Sequence, residues 1–397
     1  MMEKLDVCFK EFDALYAEMK GWRRHLHQHP ETAFEEFETS EFIADILSGL
    51  GLTVHKGLAG TGLVATLKAG SSNKSIALRA DMDALPLQEE NKISHCSKNP
   101  GKMHACGHDG HSAMLLGAAK YLSQNPSFDG TVYFIFQPAE ESFGGADKMI
   151  QDGLFELFPA QSVFGLHNFP DIQAGQFAAK SGTMMASFDT FEIILRGKGC
   201  HAAKPHQGHD PLLAASQVVL ALQSIVSREI APHQAAVVSV TQIHGGTTWN
   251  IIPDKAQICG TFRCLTDEVR KQIKQRLEEI ATSVSAAMNV KAEVKFNPST
   301  VAYPATINSE HETEQALAVA ASLVGEENIN RAPQPSMGAE DFSFMLQQKP
   351  GCYIWLGGNT PETKGLLHHP QYDFNDNILS LGAAYWIRLV QTLMPVT

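Results

Sequence analysis

The sequence predicts an α/β protein in which a mostly parallel, doubly wound sheet forms the main domain and a ferredoxin-like α+β domain is inserted into it. In the first part of the chain, apolar runs rich in β-branched and aromatic residues, such as 75–81 and 131–138, alternate with segments of helical spacing, such as 114–122. Strands that alternate with helices form a parallel sheet covered by helices on both faces. Across 186–297 the order becomes strand, helix, strand, strand, helix, strand, which is the split arrangement of a ferredoxin-like domain.

Local signals predict the elements of the inserted part in turn. Strands are predicted at FDTFEIILRG, AAVVSVTQIHGG, DKAQICGTFRC and KAEVKFN, and helices at DPLLAASQVVLALQSIVSR and TDEVRKQIKQRLEEIATSVSAAMN. The first of these helices is expected to begin at Pro211, with Asp210 as its N-cap.

The length of the chain suits two domains, because a single core stops growing near about 250–300 residues and the chain has 397. After the insert the sequence returns to a helix at 313–323, a strand around CYIWLGG and a final helix. We therefore expect 1–185 and 298–397 to form one domain, with 186–297 inserted in it.

Composition narrows the classes of partner. The formal net charge of -12 argues against a nucleic-acid partner, which needs a basic surface. The sequence has no run of about 18 apolar residues, and its start reads as a polar, amphipathic helix, so neither a membrane partner nor a secretory signal is expected. The seven cysteines are scattered and odd in number, which fits a reducing cytoplasm better than a disulfide framework.

The densest group of chemically active side chains is HCSKNPGKMHACGHDGH. In an extended segment the side chains of Cys106 and His108 point the same way, and a thiolate with an imidazole suits zinc or a comparable divalent ion. Two alternatives stay open at this point. Cys96, His104 and His111 could complete a structural zinc site, or Cys106 could be a nucleophile activated by a histidine.

A pair of adjacent carboxylates, Glu140 and Glu141, follows an apolar strand. In extended backbone the two side chains point to opposite sides, so that one could bind a metal ion while the other carries a proton. The alternative is a pair of carboxylates at a helix N-terminus, stabilised by the helix dipole.

Further metal-type residues stand at predicted strand ends. Asp81 and Asp83 close the strand SIALRAD, His167 closes another, and His368 and His369 precede a proline. Each alone is more often structural. Ligands of open α/β sheets bind at the carboxyl ends of the strands, however, so their joint placement there predicts a metal site.

Taken in order, these motifs resemble the M20 metallopeptidase family, in the branch of hippurate hydrolases, N-acyl-L-amino acid amidohydrolases and plant auxin-conjugate hydrolases. The resemblance covers nearly the whole chain and rests on RRHLHQHPE, RADMDALP, MHACGHDGH, QPAEE, GLHN, GKGCHAAKPH, SMGAEDFS and LHHPQYDFND. It implies a catalytic main domain that hydrolyses the amide bond of N-acyl-L-amino acids, releasing a carboxylic acid and an amino acid. It also implies two divalent ions as cofactors, from among Mn, Zn, Ni and Co.

The resemblance implies site residues one by one. The implied metal ligands are Cys106, His108, Glu141, His167 and His368. Glu140 matches the general base of the family and Asp83 an aspartate that orients a ligand, whereas Asp81 stays outside the ligand set. His369 occupies a position that usually holds a small polar residue.

The inserted domain is implied to act as a lid or dimerisation domain of a homodimer, although it could instead pack only on its own chain. His201, Asn250 and Arg263 match polar positions near the substrate, and His201 could act in its own or in the neighbouring subunit. Cys200 departs from the family pattern, which usually has a glycine there.

Three points stay open at this stage. The rival functions are a cysteine hydrolase built on Cys106 and a metal-binding protein without catalysis. The acyl group of the substrate is not identified. Trp249, Met337 and Phe342 are candidates for an apolar acyl pocket, and equally for ordinary core.

Overall fold

The computed structural model describes residues 13–361 and 365–396. The first part of the predicted N-terminal amphipathic helix, residues 1–12, lies outside this range. The chain divides into two compact units. The larger unit comprises the residues up to Met184, Ile307–Gln334 and the residues from Asp341 onward, and the smaller unit comprises Met185–Thr306 and Pro335–Glu340.

The helices are, in chain order, α1 (Asp13–Gln28), α2 (Phe37–Gly49), α3 (His108–Gln124), α4 (Glu140–Phe143), α5 (Gly145–Gln151), α6 (Leu154–Leu157), α7 (Pro211–Ser224), α8 (Asp267–Ala287), α9 (Glu310–Val324), α10 (Phe342–Gln348) and α11 (Leu379–Leu393). Short 3-10 turns lie at Pro205–Gln207, Glu326–Asn328 and Asp376–Ile378, and a π-helical turn, Ile225–Glu229, continues α7.

The strands are β1 (Thr53–Leu58), β2 (Gly62–Ala69), β3 (Ser75–Asp81), β4 (Gly130–Gln137), β5 (Ser162–Gln173), β6 (Phe177–Ala178), β7 (Gly182–Met185), β8 (Ser187–Arg196), β9 (Cys200–His201), β10 (Ala236–Gly245), β11 (Ile251–Ile252), β12 (Lys255–Cys264), β13 (Lys291–Phe296), β14 (Thr306–Asn308), β15 (Ile329–Asn330) and β16 (Gly351–Asn359).

The larger unit is built on a sheet of strand order β1-β2-β4-β3-β5-β16-β6-β15 in the described part of the chain. Strands β4, β3, β5 and β16 run parallel to one another at its centre, and β1 and β2 add an antiparallel hairpin at one edge. The predicted mostly parallel α/β sheet is therefore confirmed. The hairpin was not predicted, because β1 is largely exposed and lacks an apolar pattern.

The centre of this sheet is covered on both faces, as its sequence requires. Every residue of β3 is buried, which explains why SIALRAD reads as a continuous run rather than an alternation. Helix α3 packs against α1 and α11 and buries most of its length, including Leu115 and Leu116. Burying such a leucine side chain stabilises the fold by about 1.5–3 kcal/mol.

The smaller unit contains an antiparallel sheet of order β10-β12-β8-β13, with α7 and α8 packed on it. This is the ferredoxin-like arrangement predicted from the sequence. Helix α7 begins as expected, because Asp210 Oδ1 accepts hydrogen bonds from the backbone nitrogens of Leu212 at 2.8 Å and Leu213 at 3.2 Å. By length and composition alone the segment Pro211–Glu229 could cross a membrane, and 33% of its most apolar stretch is buried in the fold.

The relative lengths of the central strands bring polar side chains to one edge of the sheet. Asp81 is the last residue of β3 and pairs with Gln137, the last residue of β4. Strand β5 pairs with β3 only as far as Gly165 and continues to Gln173 alongside β16. Continued by two residues, this register places His167 level with Asp81 at the end of β3, on the side where the strands present their carboxyl ends.

Candidate metal centre

Cys106 and His108 meet through a left-handed turn. Gly107 has a φ of 92° and is the N-cap of α3, so His108 is the first residue of that helix. The expectation of an extended segment here is wrong. The side chains converge nevertheless, because the donor atoms of Cys106, His108 and Glu141 all lie within 4.8 Å of one another.

Glu140 and Glu141 lie in the one-turn helix α4, which begins directly after a left-handed Ala139 (φ 55°). The expected extended backbone is therefore wrong, and the alternative, a helix N-terminus, is what the structure shows. Glu141 joins Cys106 and His108, whereas Glu140 Oε1 lies 3.4 Å from the backbone nitrogen of Asp341.

Two more histidines lie beside these groups. His167 Nε2 is 3.4 Å from the sulfur of Cys106, and its Nδ1 lies 2.6 Å from the Asn168 carbonyl oxygen. His368 Nε2 is 3.1 Å from Glu141 Oε1. The structure thus brings all five residues proposed as ligands into one cluster.

The loop that carries His368 is tied to the cysteine segment. Its backbone nitrogen donates to the Ala105 carbonyl oxygen at 2.8 Å, and its φ of 64° lies in the left-handed region. Such strained backbone is retained where surrounding contacts determine it, often at functional sites. His369 is exposed, and its Nδ1 accepts a hydrogen bond from the Gln371 backbone nitrogen at 3.1 Å.

The chemistry of the donors fits a metal ion. Asp83 follows β3 and accepts from His108 Nδ1 through its carbonyl oxygen at 2.9 Å. Among the described residues nothing hydrogen-bonds the other ring nitrogen of His108, Nε2, although it is buried. Asp81 Oδ2 lies 3.6 Å from this nitrogen, too far for a hydrogen bond. A buried polar atom without a hydrogen-bond partner is costly, and a metal ion would satisfy it.

Asp81 and His111 form a second group with His108 and His167 that the sequence did not identify as a unit. His111 Nδ1 lies 2.5 Å from Asp81 Oδ1, and its Nε2 lies 2.7 Å from Asn168 Oδ1. Both ring nitrogens of His111 therefore have partners, and the ring holds Asp81 and Asn168 in place beside the cluster. A signal was present, because residues three apart, as His108 and His111 are, share one face of a helix.

Both carboxylate oxygens of Asp81 also have partners. Its Oδ2 accepts from Arg79 Nη1 at 2.7 Å, while Oδ1 contacts His111. These contacts support its place outside the ligand set.

The electrostatics of the cluster favour a cation over a free thiolate. Burial raises the pKa of the Cys106 thiol well above its usual value, and the carboxylates of Glu141 and Glu140 raise it further. Burial lowers the pKa of His108, but Asp81 and Asp83 outweigh it and raise that pKa to about 10. A nucleophilic cysteine needs a lowered pKa, whereas a cation bound beside Cys106 would itself stabilise the thiolate, so these shifts fit a metal ligand better than a free nucleophile.

A structural zinc site does not assemble from the same segment. The sulfur of Cys96 donates to the Asn91 carbonyl oxygen at 3.1 Å. Among the described residues, neither Cys96 nor His104 belongs to a group of converging metal donors.

The residues proposed to contact substrate belong to the smaller unit. His201 lies in β9 and pairs with Ile251 of β11, next to Asn250, whose carbonyl oxygen accepts from the Ala202 backbone nitrogen at 2.9 Å. His201 and Asn250 are exposed and share this two-stranded ribbon. Arg263 lies on β12.

The side chain of Arg263 makes two contacts within the smaller unit. Its Nη1 donates to the Met337 carbonyl oxygen at 3.0 Å, and its guanidinium stands 4.9 Å from the ring centre of Phe188. Of the residues considered for an apolar pocket, Trp249 is fully exposed and Phe342 is fully buried against Tyr353. Phe342 is therefore core.

A cluster of thiol, imidazole and carboxylate donors lies at the carboxyl ends of parallel strands, largely buried except at His368, with a further carboxylate beside it. This is the site of a metal-dependent hydrolase with an α/β fold. The chain belongs to peptidase family M20/M25/M40, whose family model matches residues 77–392.

Relatives with known names support this assignment. The chain is 43% identical over 376 residues to hippurate hydrolase of Campylobacter jejuni, covering 94% of this chain and 96% of that protein. It is 41% identical over 374 residues to N-acetyl-L-cysteine deacetylase of Bacillus subtilis, covering 94% of this chain and 87% of that protein. A crystal structure of a dinuclear metal-binding peptidase of the M20 family from Bacillus subtilis matches with a TM-score of 0.83 and 34% identity, covering 96% of this chain and 99% of that one. The family relationship and the cluster together support a site for two divalent ions.

Proposed function

We propose that the protein hydrolyses the amide bond of N-acyl-L-amino acids, such as hippurate-like, N-acetyl or related conjugates, and releases a carboxylic acid and a free amino acid. The observation that carries this proposal is the convergence of Cys106, His108 and Glu141, with Glu140 preceding Glu141 on the same short helix. The similarity to hippurate hydrolase and N-acetyl-L-cysteine deacetylase over most of the chain supports an acylated amino acid as the substrate.

The side chains divide the work of the reaction. Cys106, His108, Glu141, His167 and His368 would hold two divalent ions, which supply Lewis acidity and lower the pKa of bound water. The Glu140 carboxylate accepts a proton from the attacking water and delivers it to the nitrogen of the leaving amine. Asp83 fixes the orientation of His108, so that Nε2 faces the site.

The family resemblance alone supports three further roles. His201 donates a hydrogen bond to the oxyanion, in its own or in the neighbouring subunit, and Asn250 and Arg263 bind the substrate carboxylate.

The ions come from Mn, Zn, Co and Ni, because a thiolate, imidazole and carboxylate set accepts each of them.

We also propose a homodimer. Strand β10 is an edge strand of the smaller unit's sheet and exposes the apolar side chains of Val237 and Ile243, while α7 exposes Leu213 and Leu220. An exposed apolar edge of this kind is a template for pairing with another chain. Sedimentation analysis of the active enzyme tests this, and a fully active monomer would refute both the dimer and an across-subunit role for His201.

A cytoplasmic location is the corresponding proposal for the cell. The described cysteines are all unpaired, which suits a reducing compartment. Fractionation of the source cells would test it.

The deciding experiment for the reaction is a hydrolysis screen with metal-stripped enzyme, reconstituted with each ion in turn. Benzoyl, acetyl, indoleacetyl and succinyl conjugates of amino acids form the substrate panel. We expect activity to disappear with the metal and to return with at least one ion. Activity that survives complete metal removal, or reconstituted enzyme inactive on the whole panel, would refute the proposal.

A further inference from the structure

A cavity of about 390 Å³ lies in the larger unit directly beside Glu141. Its lining includes Ala33, Ala84, Leu85, Pro86 and Phe143. This volume falls within the range of about 300–1,000 Å³ that is usual for small-molecule sites, and a mostly apolar wall with few polar groups is typical of them. The cavity thus adjoins the proposed metal centre and shares one of its ligands.

One wall of the cavity is built by the helix that carries the acidic pair. Helix α4 begins with Glu140 and Glu141 and ends at Phe143, so the aromatic wall is only two residues from the proposed ligand. The Phe143 ring packs edge-on against Phe34, with ring centres 6.4 Å apart. Both rings remain partly open, with exposed fractions of 54% and 36%.

Phe34 packs against Phe143 with an unfavourable backbone conformation. Its φ of 61° lies in the left-handed region, which a bulky residue rarely adopts. Unusual backbone of this kind persists where surrounding structure determines it, and here it places the Phe34 ring against Phe143, between the lining residues Ala33 and Glu35 in the chain.

Backbone hydrogen bonds fix the part of the lining that contains Leu85 and Pro86. Leu85 donates its backbone N–H to the Met103 carbonyl oxygen at 3.0 Å, and Met103 donates in return to Leu85 at the same distance. This reciprocal bridge ties the segment that holds Leu85 and Pro86 to the cysteine-containing segment. The lining of the cavity therefore combines a backbone segment fixed at Leu85 with the ring of Phe143, and Phe34, which is outside the lining, contacts that ring.

The charged groups in the lining of the cavity favour one part of the substrate over another. The charged groups among the lining residues are the carboxylates of Glu35 and Glu141, and no lining residue carries a positive charge. Glu35 is already paired with Lys102 at 2.7 Å, and a bound metal ion would neutralise Glu141, so repulsion is not the main obstacle to a substrate carboxylate. The carboxylate would instead lose its hydration without finding a positively charged partner in the lining. An uncharged apolar group attached to the amide carbonyl has no such cost, and it would gain from leaving water.

We propose that this cavity receives the acyl group of the substrate, and that Leu85, Phe143 and Ala33 set a preference for apolar acyl groups of about the size of a benzoyl group. This inference rests on the amidohydrolase function proposed above. The acyl carbonyl then lies at the mouth of the cavity, next to Glu141, with the amino acid portion outside it.

The test compares acyl groups on one amino acid, glycine, which has no side chain of its own. We would measure kcat/KM for N-benzoylglycine and N-acetylglycine in the wild type and in Phe143→Ala, Leu85→Ala and Ala33→Trp. Phe143→Ala and Leu85→Ala remove a wall, and each should lower the benzoyl-to-acetyl ratio about 10-fold or more. Ala33→Trp fills the cavity and should lower activity on the benzoyl substrate about 10-fold or more while changing activity on the acetyl substrate less than about 3-fold.

Phe37→Ala is the matched control, because Phe37 is an exposed phenylalanine of the larger unit that lies outside the lining. It should leave the ratio unchanged. A binding measurement gives a second readout. In a Glu140→Gln background, calorimetric titration with N-benzoylglycine should show that Phe143→Ala raises the dissociation constant about 10-fold.

The outcomes separate the two proposals. If the variants alter the ratio of N-acetylphenylalanine to N-acetylglycine instead, the cavity takes the amino acid side chain and the inference is wrong. Unchanged ratios in an enzyme that still needs metal would overturn the inference but leave the proposed function standing. Wild-type enzyme inactive on every acyl substrate would overturn both.

Discussion

The two carboxylate oxygens of Asp83 contact two proposed metal ligands that come from different elements. Oδ1 lies 3.2 Å from His108 Nδ1 at the start of α3, and Oδ2 accepts a hydrogen bond from the Glu141 backbone nitrogen in α4 at 3.0 Å. An acceptor at Nδ1 fixes the tautomer that leaves the Nε2 lone pair for a metal ion. The Asp83 carboxylate thus contacts the ring of one proposed ligand and holds the backbone of another.

Asp83→Ala should weaken metal binding more than it weakens the chemistry. The Asp83 carbonyl oxygen, 2.9 Å from His108 Nδ1, remains in this variant, so the loss falls on the carboxylate contacts to His108 Nδ1 and to the Glu141 backbone nitrogen. We therefore expect metal affinity to fall about 10-fold, the lower end of the range for an orienting partner, and saturating metal should restore much of the activity. Competition with a chromophoric chelator measures the affinity. Asp45→Ala, at an exposed position of α2, is the control and should bind metal normally. Unaltered affinity in Asp83→Ala would show that the contacts of Asp83 are only structural.

Glu140→Gln should separate catalysis from metal binding. It keeps the size of the side chain but cannot accept a proton, so we expect kcat to fall about 10²- to 10⁴-fold with metal content unchanged. Glu141→Gln is the matched comparison, since it alters a proposed ligand and should lower metal content instead. Elemental analysis and steady-state kinetics on both variants provide the readout. Near-normal kcat in Glu140→Gln would contradict its role as the base.

Much of this site was predictable because its residues follow apolar strands. Runs such as those of β3 and β4 predict buried parallel strands, and the carboxyl ends of such strands meet at one edge of the sheet. The backbone around the ligands was not predictable. Ala139 adopts a left-handed conformation that alanine disfavours, so no local signal marks it. The turn depends on a distant residue, because the Ala139 backbone nitrogen donates to Glu36 Oε1 at 2.9 Å.

The cavity beside Glu141 could not be predicted from the sequence either. Trp249 and Phe342 were considered as pocket residues on composition, but one is exposed and the other is core. Hydrophobic patterning predicts which residues are buried, whereas a cavity depends on which distant segments fail to fill the space between them. Phe34 and Phe143, far apart in the chain, meet only in the folded protein.

Glu36 should make stability fall as the pH rises. Burial raises its pKa from 4.5 to about 7, with the Asp83 charge adding to the shift. Between these two values the folded state binds more protons than the unfolded state. The stabilisation is therefore complete below about pH 4.5 and lost as the pH rises through about 7, with a limit of about 3 kcal/mol.

Glu36→Gln should remove this dependence, since an amide can still accept from Ala139 and bond to Thr61 without ionising. Urea unfolding of metal-stripped protein at pH 5 and pH 8 measures the effect. Glu38→Gln, at an exposed neighbour, should behave like the wild type. A Glu36→Gln variant with the same pH dependence as the wild type would refute the shift.

Arg23 should be far more important for stability than Arg24. The buried guanidinium of Arg23 pairs with Asp109 at 2.8 Å and with Asp376 at 3.4 Å, and it also contacts Asp373. Arg23→Met leaves the Asp109 carboxylate buried and without its strongest countercharge, which should cost about 3–5 kcal/mol. Arg24→Met, which loses a part-exposed pair with Asp376, should cost about 0–1 kcal/mol. Equal unfolding free energies for the two variants would show that the buried network contributes no more than the surface pair.

Gly107→Ala tests whether the turn between Cys106 and His108 sets the geometry of the metal centre. An added Cβ would overlap the Asn168 Oδ1 atom and approach the Tyr372 hydroxyl to 2.9 Å. Because Asn168 also contacts His111, the displacement would reach the residues that hold the cluster together. A displacement of about 1 Å can lower kcat about 100-fold, and we expect a loss of that order.

The control for backbone strain is Gly101→Ala. Gly101 also has a positive φ, of 76°, but a Cβ there would meet no atom of the described chain within 4 Å. This variant should lose about 1–2 kcal/mol of stability and keep its kcat, because only the left-handed conformation is penalised. Kinetics and metal titration on the two alanine variants distinguish the effects. If both lose activity equally, strain in the loop rather than contact with Asn168 accounts for the requirement for glycine.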